Sequence, residues 1–464
     1  MASSGKSNEA SKKTMYKRLS PISEFEQLTT RADQKSRSNN DNLIEPICNG
    51  IDITSSNTKA KRKPNQAGSA KWEAIRALIK NDEVACFKHF EIIKQVGEGS
   101  VGHIFLCRLS DTPHYFVLKT MNRVILEKIN KAKSIQNEIE ILEMLDHPFL
   151  PTLYHSFQIG ASTVAVMDYC PGGDLYGLQR KQPRNCFSEE DARFYASEII
   201  IALEYLHMLG IVYRDLKPEN ILIKEDGHII LTDFDLAKRG SFKPTVNKFP
   251  HPLRHIFGRR ENEDNNIDCP REFVGCFSFT GLLKGFIKLN KVNPPSLPSS
   301  EMYPRLNISA VASLPEMQTE PKSVRAMSVV GTYEYLAPEV AEGKRHGSAV
   351  DWWALGVLLY ELLYGKTPFL GEDDKDTSMN IREKPPPFPE LPKVSDAAKD
   401  LISKLLTKEP SKRLGFERGA SEIKEHHFFD GVNWTLILKG QPPMVPGPYY
   451  GQHDDEQDDY YGFD

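Results

Sequence analysis

Paired cysteines are missing from this chain. Its seven cysteines, Cys48, Cys86, Cys107, Cys170, Cys186, Cys269 and Cys276, are odd in number and show no C-x-x-C spacing. Reduced thiols in a cytosolic protein are the simplest reading. There is no apolar run at the N-terminus and no stretch long enough to cross a bilayer, so neither a secretory leader nor a membrane span is expected. Ala2 stands where myristoylation needs glycine, and no prenylation cysteine ends the chain. Membrane contact is therefore expected to be peripheral at most. A cytoplasmic location is expected, with the plasma-membrane surface and the nucleus left open. An excess of one charge is also lacking. The 59 basic and 63 acidic residues give a formal charge of −4, which argues against a dedicated nucleic-acid binder while allowing local patches of either sign.

What is present suggests several parts. The 464 residues suffice for a large core with extensions. Residues 1 to about 70 are rich in Ser, Asn, Lys and Thr and poor in apolar residues, so a disordered extension is expected. Its basic cluster, Lys12, Lys13, Lys17 and Arg18, reads as a solvated tail, with contact to anionic lipid as the alternative. From His89 the pattern changes. Phe90 to Val96, Ile104 to Leu109 and Tyr115 to Lys119 read as strands. Ile135, Ile139 and Leu142 recur at helical spacing and predict a helix over 133–145. Ser188 followed by Asp191 reads as the cap of a helix reaching about Leu209. Trp352 to Leu363 is apolar nearly all round, as in a helix buried in a core. A strand-rich unit followed by a helix-rich one predicts an α+β protein of two lobes with a cleft between them. The Pro- and Ser-rich stretch between Asp235 and Ala337 is too long for an ordinary loop and reads as an insertion. The expected division is a domain at 90–429 carrying an insertion at 240–322, and a C-terminal tail at 430–464 with the acidic run Asp454, Asp455, Glu456, Asp458 and Asp459.

The chemistry concentrates in Tyr213-Arg214-Asp215-Leu216-Lys217-Pro218-Glu219-Asn220 and Thr232-Asp233-Phe234-Asp235. Two carboxylates and an Asn stand at the spacing needed to meet a hydroxyl and to hold a metal during phosphoryl transfer. Upstream, Gly97-Glu98-Gly99-Ser100-Val101-Gly102 fits G-x-G-x-x-G. A dinucleotide-binding loop would open a helix; here a strand follows, which suits a hairpin over a triphosphate. Together these segments resemble the glycine-rich loop, catalytic loop and metal-binding turn of protein kinases. The resemblance implies a bilobal protein kinase fold, with a small antiparallel β-sheet lobe and a larger helical lobe, working on ATP and Mg2+. By that resemblance Asp215 accepts or orients the substrate hydroxyl, Lys217 stabilises the transferring phosphate, and Asn220 and Asp233 supply metal oxygens. Gly97, Glu98, Gly99, Ser100, Val101 and Gly102 cover the phosphates, and Lys119 holds the α- and β-phosphates. Glu138 is expected to pair with Lys119, with Glu140 as its competitor. Ile104 and Val117 roof the adenine, Leu222 floors it, and the hinge Met167-Asp168-Tyr169-Cys170 edges it. Leu142, Leu153, Tyr213 and Phe234 are expected to stack between the lobes.

From about Phe90 to Phe429, and again at Asn433-Trp434, the chain resembles the AGC group of serine/threonine kinases. Tyr213 replaces the usual His before Arg214-Asp215, and Gly331-Thr332, Ala337-Pro338-Glu339 and Asp351-Trp352-Trp353-Ala354-Leu355-Gly356 also fit. Arg413 is expected to bridge Glu339. Asp235 stands where nearly all kinases have Gly. With the insertion and Asp168-Tyr169-Cys170-Pro171-Gly172-Gly173-Asp174-Leu175, it makes the chain similar to plant AGC subfamily VIII. That subfamily includes the phototropin kinase domain and kinases of auxin efflux carriers; the light-sensing domains are not expected here. A serine/threonine protein kinase of plant signalling, acting in auxin transport or polarity, is implied. Asp tolerates left-handed backbone, so Asp235 is expected to preserve the turn and stiffen the flip of Phe234. Three departures stand out: Val117 for the usual Ala, Tyr333 after Gly331-Thr332, and a short Pro-rich segment from Gly371 to Pro389. Val117 raises a rival reading, a pseudokinase scaffold that binds nucleotide poorly, against which the intact Lys119, Asp215, Asn220 and Asp233 argue.

The same resemblance implies control. Ser328, or Ser323 instead, is expected to take an activating phosphate that pairs with Arg214 and Lys238. The ending Tyr460-Tyr461-Gly462-Phe463-Asp464 resembles the hydrophobic motif that docks on a small lobe, with Phe463 as its anchor and the phosphoinositide-dependent kinase as upstream activator. Asp174, Glu219 and Glu361 match positions that meet basic residues of protein substrates. In the insertion, Leu282, Leu283, Phe286 and Leu289 share one helical face and Lys284, Lys288 and Lys291 another. That pattern reads either as peripheral contact with anionic membrane lipid or as a solvated linker.

Overall fold

A computed structural model describes residues 63–82, 87–99, 102–128, 132–159, 162–240, 245–247, 316–318 and 332–447. Five strands build one antiparallel sheet: β1 (Phe90–Gly99), β2 (Gly102–Leu109), β3 (Tyr115–Asn122), β4 (His155–Ile159) and β5 (Ser162–Asp168), in the order β1-β2-β3-β5-β4. Successive strand residues face opposite ways, and β3 shows what this divides. Phe116 and Leu118 pack with Phe90, Phe105, Tyr154 and Phe157; Val117 packs instead against the larger core. A helix α1 (Ala70–Asp82) lays Trp72 and Ile75 on the Phe116 face. The sequence reading puts the end of a disordered extension at about residue 70, but residues 63–70 are described here and Lys63 is buried.

After β3 come α2 (Arg123–Lys128) and α3 (Ala132–Met144), the latter beginning one residue before the expected 133–145. Ile135, Ile139 and Leu142 bury its apolar stripe. The helical lobe opens with α4 (Leu175–Arg180) and α5 (Glu189–Met208). The Ser188 hydroxyl accepts from the Asp191 N–H at 3.1 Å, so the expected cap forms. Short strands β6 (Ile211–Val212), β7 (Ile221–Ile223), β8 (Ile229–Leu231) and β9 (Lys238–Arg239) pair as β7 with β8 and β6 with β9. A second compact unit, 245–317, is described only at its ends, where β10 (Thr245–Asn247) pairs with β11 (Glu316–Gln318). The amphipathic stretch from Leu282 to Lys291 lies outside the described residues.

Beyond it come α6 (Pro338–Ala341), α7 (Ala349–Tyr364), α8 (Asp374–Glu383), α9 (Asp396–Leu405) and α10 (Ala420–Lys424). In α7 every residue but Glu361 is buried, as its all-round apolar sequence requires. Gly365 ends it in left-handed conformation at φ 74°, returning its N–H to the Glu361 carbonyl at 2.8 Å. In the tail, the Gly447 N–H bonds the Glu225 carbonyl at 3.0 Å and lays this stretch beside the β7–β8 turn.

Candidate active site

Asp351, fully buried on α7, receives the backbone N–H groups of Tyr213 (2.9 Å) and Arg214 (2.8 Å) and the His207 ring (2.8 Å). The loop is thereby pinned, although Arg214 sits at φ 69°, a conformation that disfavours most side chains. It delivers Asp215, buried, to the cleft. The Asn220 amide donates to both the backbone and the side-chain oxygen of Asp215, each at 2.8 Å. Lys217 Nζ lies 3.3 Å from Asp215 Oδ2 and donates to Thr332 Oγ1 at 3.3 Å. Burial pushes the Asp215 carboxyl up, against Lys217 and Asn220.

The turn after β8 is tied to this loop by the Thr232 N–H on the Asn220 carbonyl (2.9 Å) and by the Tyr213 hydroxyl on the Thr232 carbonyl. Phe234 is buried with its ring 5.3 Å from that of Tyr213. Of the two acids in the turn, it is Asp233 that takes left-handed backbone, at φ 56°. Asp235 does not, so the expectation that Asp235 is tolerated for its left-handed propensity fails. Its side chain is what matters: Asp215, Asp233 and Asp235 each place an oxygen within 4.8 Å of the others. Hard oxygens so grouped fit a hard divalent cation. Burial, and then the Asp233 charge, push Asp235 up to about 6.

β3 places Lys119 opposite Ile104 and Ala165. Its ammonium lies 2.8 Å from Glu138 Oε1 and 2.8 Å from Asp233 Oδ1. Burial alone would depress this lysine; the two carboxylates overcome it and hold the amine well above its usual range. Burial likewise works to raise Asp233, and Lys119 reverses it. Glu140 is exposed and accepts from Gln136 at 2.9 Å on its own helix. α3 also grips the turn, through Ser134 Oγ on the Asp235 carbonyl and Asn137 Nδ2 on the Ala237 carbonyl, both at 3.0 Å. Sequence reasoning missed Ser134 and Asn137, and it named Thr332 without its bond to Lys217. The first two stand one turn and one residue before Glu138, where a helix that must reach the turn would place polar groups.

In the glycine-rich segment Gly97, Glu98 and Gly99 belong to β1, and Gly99 pairs with Gly102; Ser100 and Val101 lie outside the described residues. Gly102 is required by its neighbour on β3. A Cβ there would stand 1.7 Å from the Thr120 carbonyl oxygen. Val117 faces Met167 across the β3–β5 ladder. The Asp168 carboxylate is taken by the Thr152 N–H (2.8 Å) and the Tyr154 hydroxyl (2.7 Å). Cys170 is buried, which pushes its thiol well up, and Leu222 forms a bridge with Asp174. Asp174 caps α4 through the Gly177 N–H at 2.6 Å. Glu361 accepts from the Tyr335 hydroxyl, and burial, then the charges of Glu219 and Glu334, push it up to about 7. Arg413 meets Glu339 through two nitrogens at 2.7 and 2.9 Å. Arg214 donates to the Leu236 carbonyl at 2.8 Å, and Lys238 of β9 pairs with Val212 of β6. Ser323, Ser328 and Phe463 lie outside the described residues. Among the described residues no helix is long and apolar enough to cross a membrane.

The protein kinase domain family matches residues 90–251 and 314–429, more than half of the chain. The chain is 46% identical over 402 residues to serine/threonine-protein kinase AGC1-7 of Arabidopsis thaliana, covering 86% of this chain and 70% of that protein. It is 45% identical over 398 residues to protein kinase PVPK-1 of Phaseolus vulgaris (85% and 64%), and 45% identical over 388 residues to serine/threonine-protein kinase AGC1-5 of Arabidopsis thaliana (83% and 64%). The chain thus spans about two thirds of the length of these relatives.

Proposed function

Because this chain belongs to the protein kinase family and is a serine/threonine kinase of the plant AGC group, we propose that its cleft transfers the γ-phosphoryl group of Mg-ATP to Ser and Thr hydroxyls lying after basic residues in proteins. Use of ATP and a divalent metal, and protein substrates, come with the family. The observation that carries the finer reading is the convergence of Lys119, Asp215 and Asp233 on one cleft, with Glu138 and Asn220 fixing two of them.

In this reading Asp215 orients the attacking hydroxyl and receives its proton; its raised affinity for protons suits that task. Lys217 stands between Asp215 and Thr332, where it meets charge on the transferring group. Lys119, held by Glu138, binds the nucleotide phosphates. Asp233 and Asn220, with Asp235 in reach, would hold the metal. When bound, the metal neutralises the phosphate oxygens. Glu361 and Glu219 offer negative charge to basic substrate residues. A phosphate on Ser328 would order the activation segment through Arg214 and Lys238, and Phe463 would recruit the phosphoinositide-dependent kinase as activator. Peripheral attachment to anionic lipid at the plasma membrane is part of the same proposal and rests on the residues from Leu282 to Lys291 alone.

The test is transfer from γ-labelled ATP to a peptide library, wild type beside Asp233→Asn. Label on Ser and Thr after basic residues, lowered about 100-fold or more in the variant, is expected. Equal incorporation by both would overturn the reading and favour a scaffold.

A further inference from the structure

The ordered segment before the kinase-matched residues is built onto the parts of the small lobe that handle nucleotide. Lys63 is 8% exposed, and its ammonium donates to the Leu142 carbonyl at 3.3 Å. Leu142 lies in the last turn of α3, where the helix dipole favours a cation, and its carbonyl also accepts from the Leu145 N–H at 3.3 Å. Glu138 lies one turn earlier on the same helix. Next to Lys63, the Asn65 N–H reaches both oxygens of Asp146 at 3.2 Å, and the Asp146 N–H itself donates to Tyr205 of α5 at 3.1 Å. Gln66 Nε2 donates to Thr152 Oγ1 at 2.8 Å. Thr152 and Tyr154 are the residues that hold Asp168 at the hinge, and Trp72 packs its ring 5.8 Å from that of Tyr154. A buried lysine ammonium needs hydrogen-bond partners, and the bond from Lys63 to the Leu142 carbonyl ties this segment to the end of α3.

We propose that residues 63–82 form an internal strap that sets α3 and the hinge for nucleotide binding, with Lys63 as a positioning residue acting on Glu138 through the last turn of α3. The segment lies wholly upstream of the residues that match the kinase family. It connects the two elements that flank the nucleotide site on the small-lobe side. The proposal rests on the catalytic reading for its consequence but not for its physical readout.

The test uses the full chain with Lys63→Met, which keeps the apolar stem and removes the charge, Lys63→Arg, which restores a donor, and Gln66→Leu, which cuts the link to Thr152. Amide exchange over residues 132–144, KM for ATP, KM for peptide and kcat are measured on each. Lys63→Met is expected to speed exchange in the last turn of α3 about tenfold, the scale of one hydrogen bond to a charged group. It should raise KM for ATP about fivefold and leave KM for peptide within about 1.5-fold, because the strap's bonds run to α3, Asp146 and Thr152. Lys63→Arg should recover most of both changes, and Gln66→Leu should raise KM for ATP about twofold. Unchanged exchange in α3 with unchanged KM for ATP in Lys63→Met would overturn the strap. So would a fall in kcat alone with both KM values intact, which signals only a smaller folded fraction. Exchange reports on α3 whether or not the chain turns over. A wild type that transfers no phosphate would therefore sink the catalytic reading alone.

Discussion

Glu138 and Glu140 stand two residues apart on α3, and replacing each in turn by Gln separates a working ion pair from a surface carboxylate. The Lys119 and Glu138 side chains are 17% and 5% exposed, and their charges meet at 2.8 Å. Gln keeps the shape and one acceptor but leaves the lysine with Asp233 as its carboxylate partner in the cleft. Removing one partner of a buried pair costs about 3–5 kcal/mol when nothing replaces it. With Asp233 still 2.8 Å away, about 2–3 kcal/mol is the expected loss. At about 1.4 kcal/mol per factor of ten, kcat/KM for ATP should fall roughly 30- to 150-fold in Glu138→Gln. Among the described residues Glu140 bonds only Gln136, in an exposed pair of the kind worth about 0.2–0.5 kcal/mol, so Glu140→Gln should change kcat/KM less than about threefold. Steady-state kinetics at fixed peptide, with thermal melts to check folding, decides the matter. A Glu138→Gln enzyme within threefold of wild type, or equal losses in the two variants, would refute the reasoning.

Three further outcomes are expected. Gly102→Ala must move the Thr120 backbone, because the new Cβ would lie 1.7 Å from its oxygen, whereas at Gly97 its nearest atoms are those of the Ile104 side chain, no closer than 3.4 Å; KM for ATP should rise at least about tenfold in the first and less than about threefold in the second, and equal effects in ATP titrations would contradict this. Arg413→Met strands Glu339 in the core and should cost about 3–5 kcal/mol, read by calorimetry as a drop in Tm of roughly 6–10 °C, and an unshifted Tm would count against it. Glu361 is pushed up to about 7, so it is anionic above that pH and neutral below it. KM for a peptide with Arg before the acceptor should therefore rise about threefold or more as pH falls from about 8 to about 6, with Glu361→Gln removing the dependence; the same slope in that variant would refute the assignment.

Much of the fold was legible because its signals are local and periodic. Ser188, the apolar run of α7 and the stripe Ile135, Ile139 and Leu142 each announce an element from a handful of neighbours. The kinase signatures likewise placed Lys119, Asp215, Asn220 and Asp233 in one cleft, and the choice of Glu138 over Glu140 agrees with the geometry. Asp235 was misjudged because its type invited a backbone explanation, while the strain of the turn falls on Asp233 and the Asp235 carboxylate faces the two other acids. α1 was overlooked although Trp72, Ile75, Leu78 and Ile79 recur at helical spacing. It follows a polar stretch whose composition reads as disorder, and nothing local shows that Lys63 ends under α3. The partner of Ser134, the Asp235 carbonyl, is not legible from the sequence, since the two residues are about a hundred positions apart.

The account stands or falls on a metal-dependent nucleotide site between the two lobes. Calorimetric titration of ATP into the wild type and Asp233→Asn, each with Mg2+ and with chelator, measures this directly. The wild type should bind ATP at least about tenfold more tightly with Mg2+ than without, and Asp233→Asn should lose that difference. A wild type that binds ATP equally well in both conditions, or not at all, would contradict it.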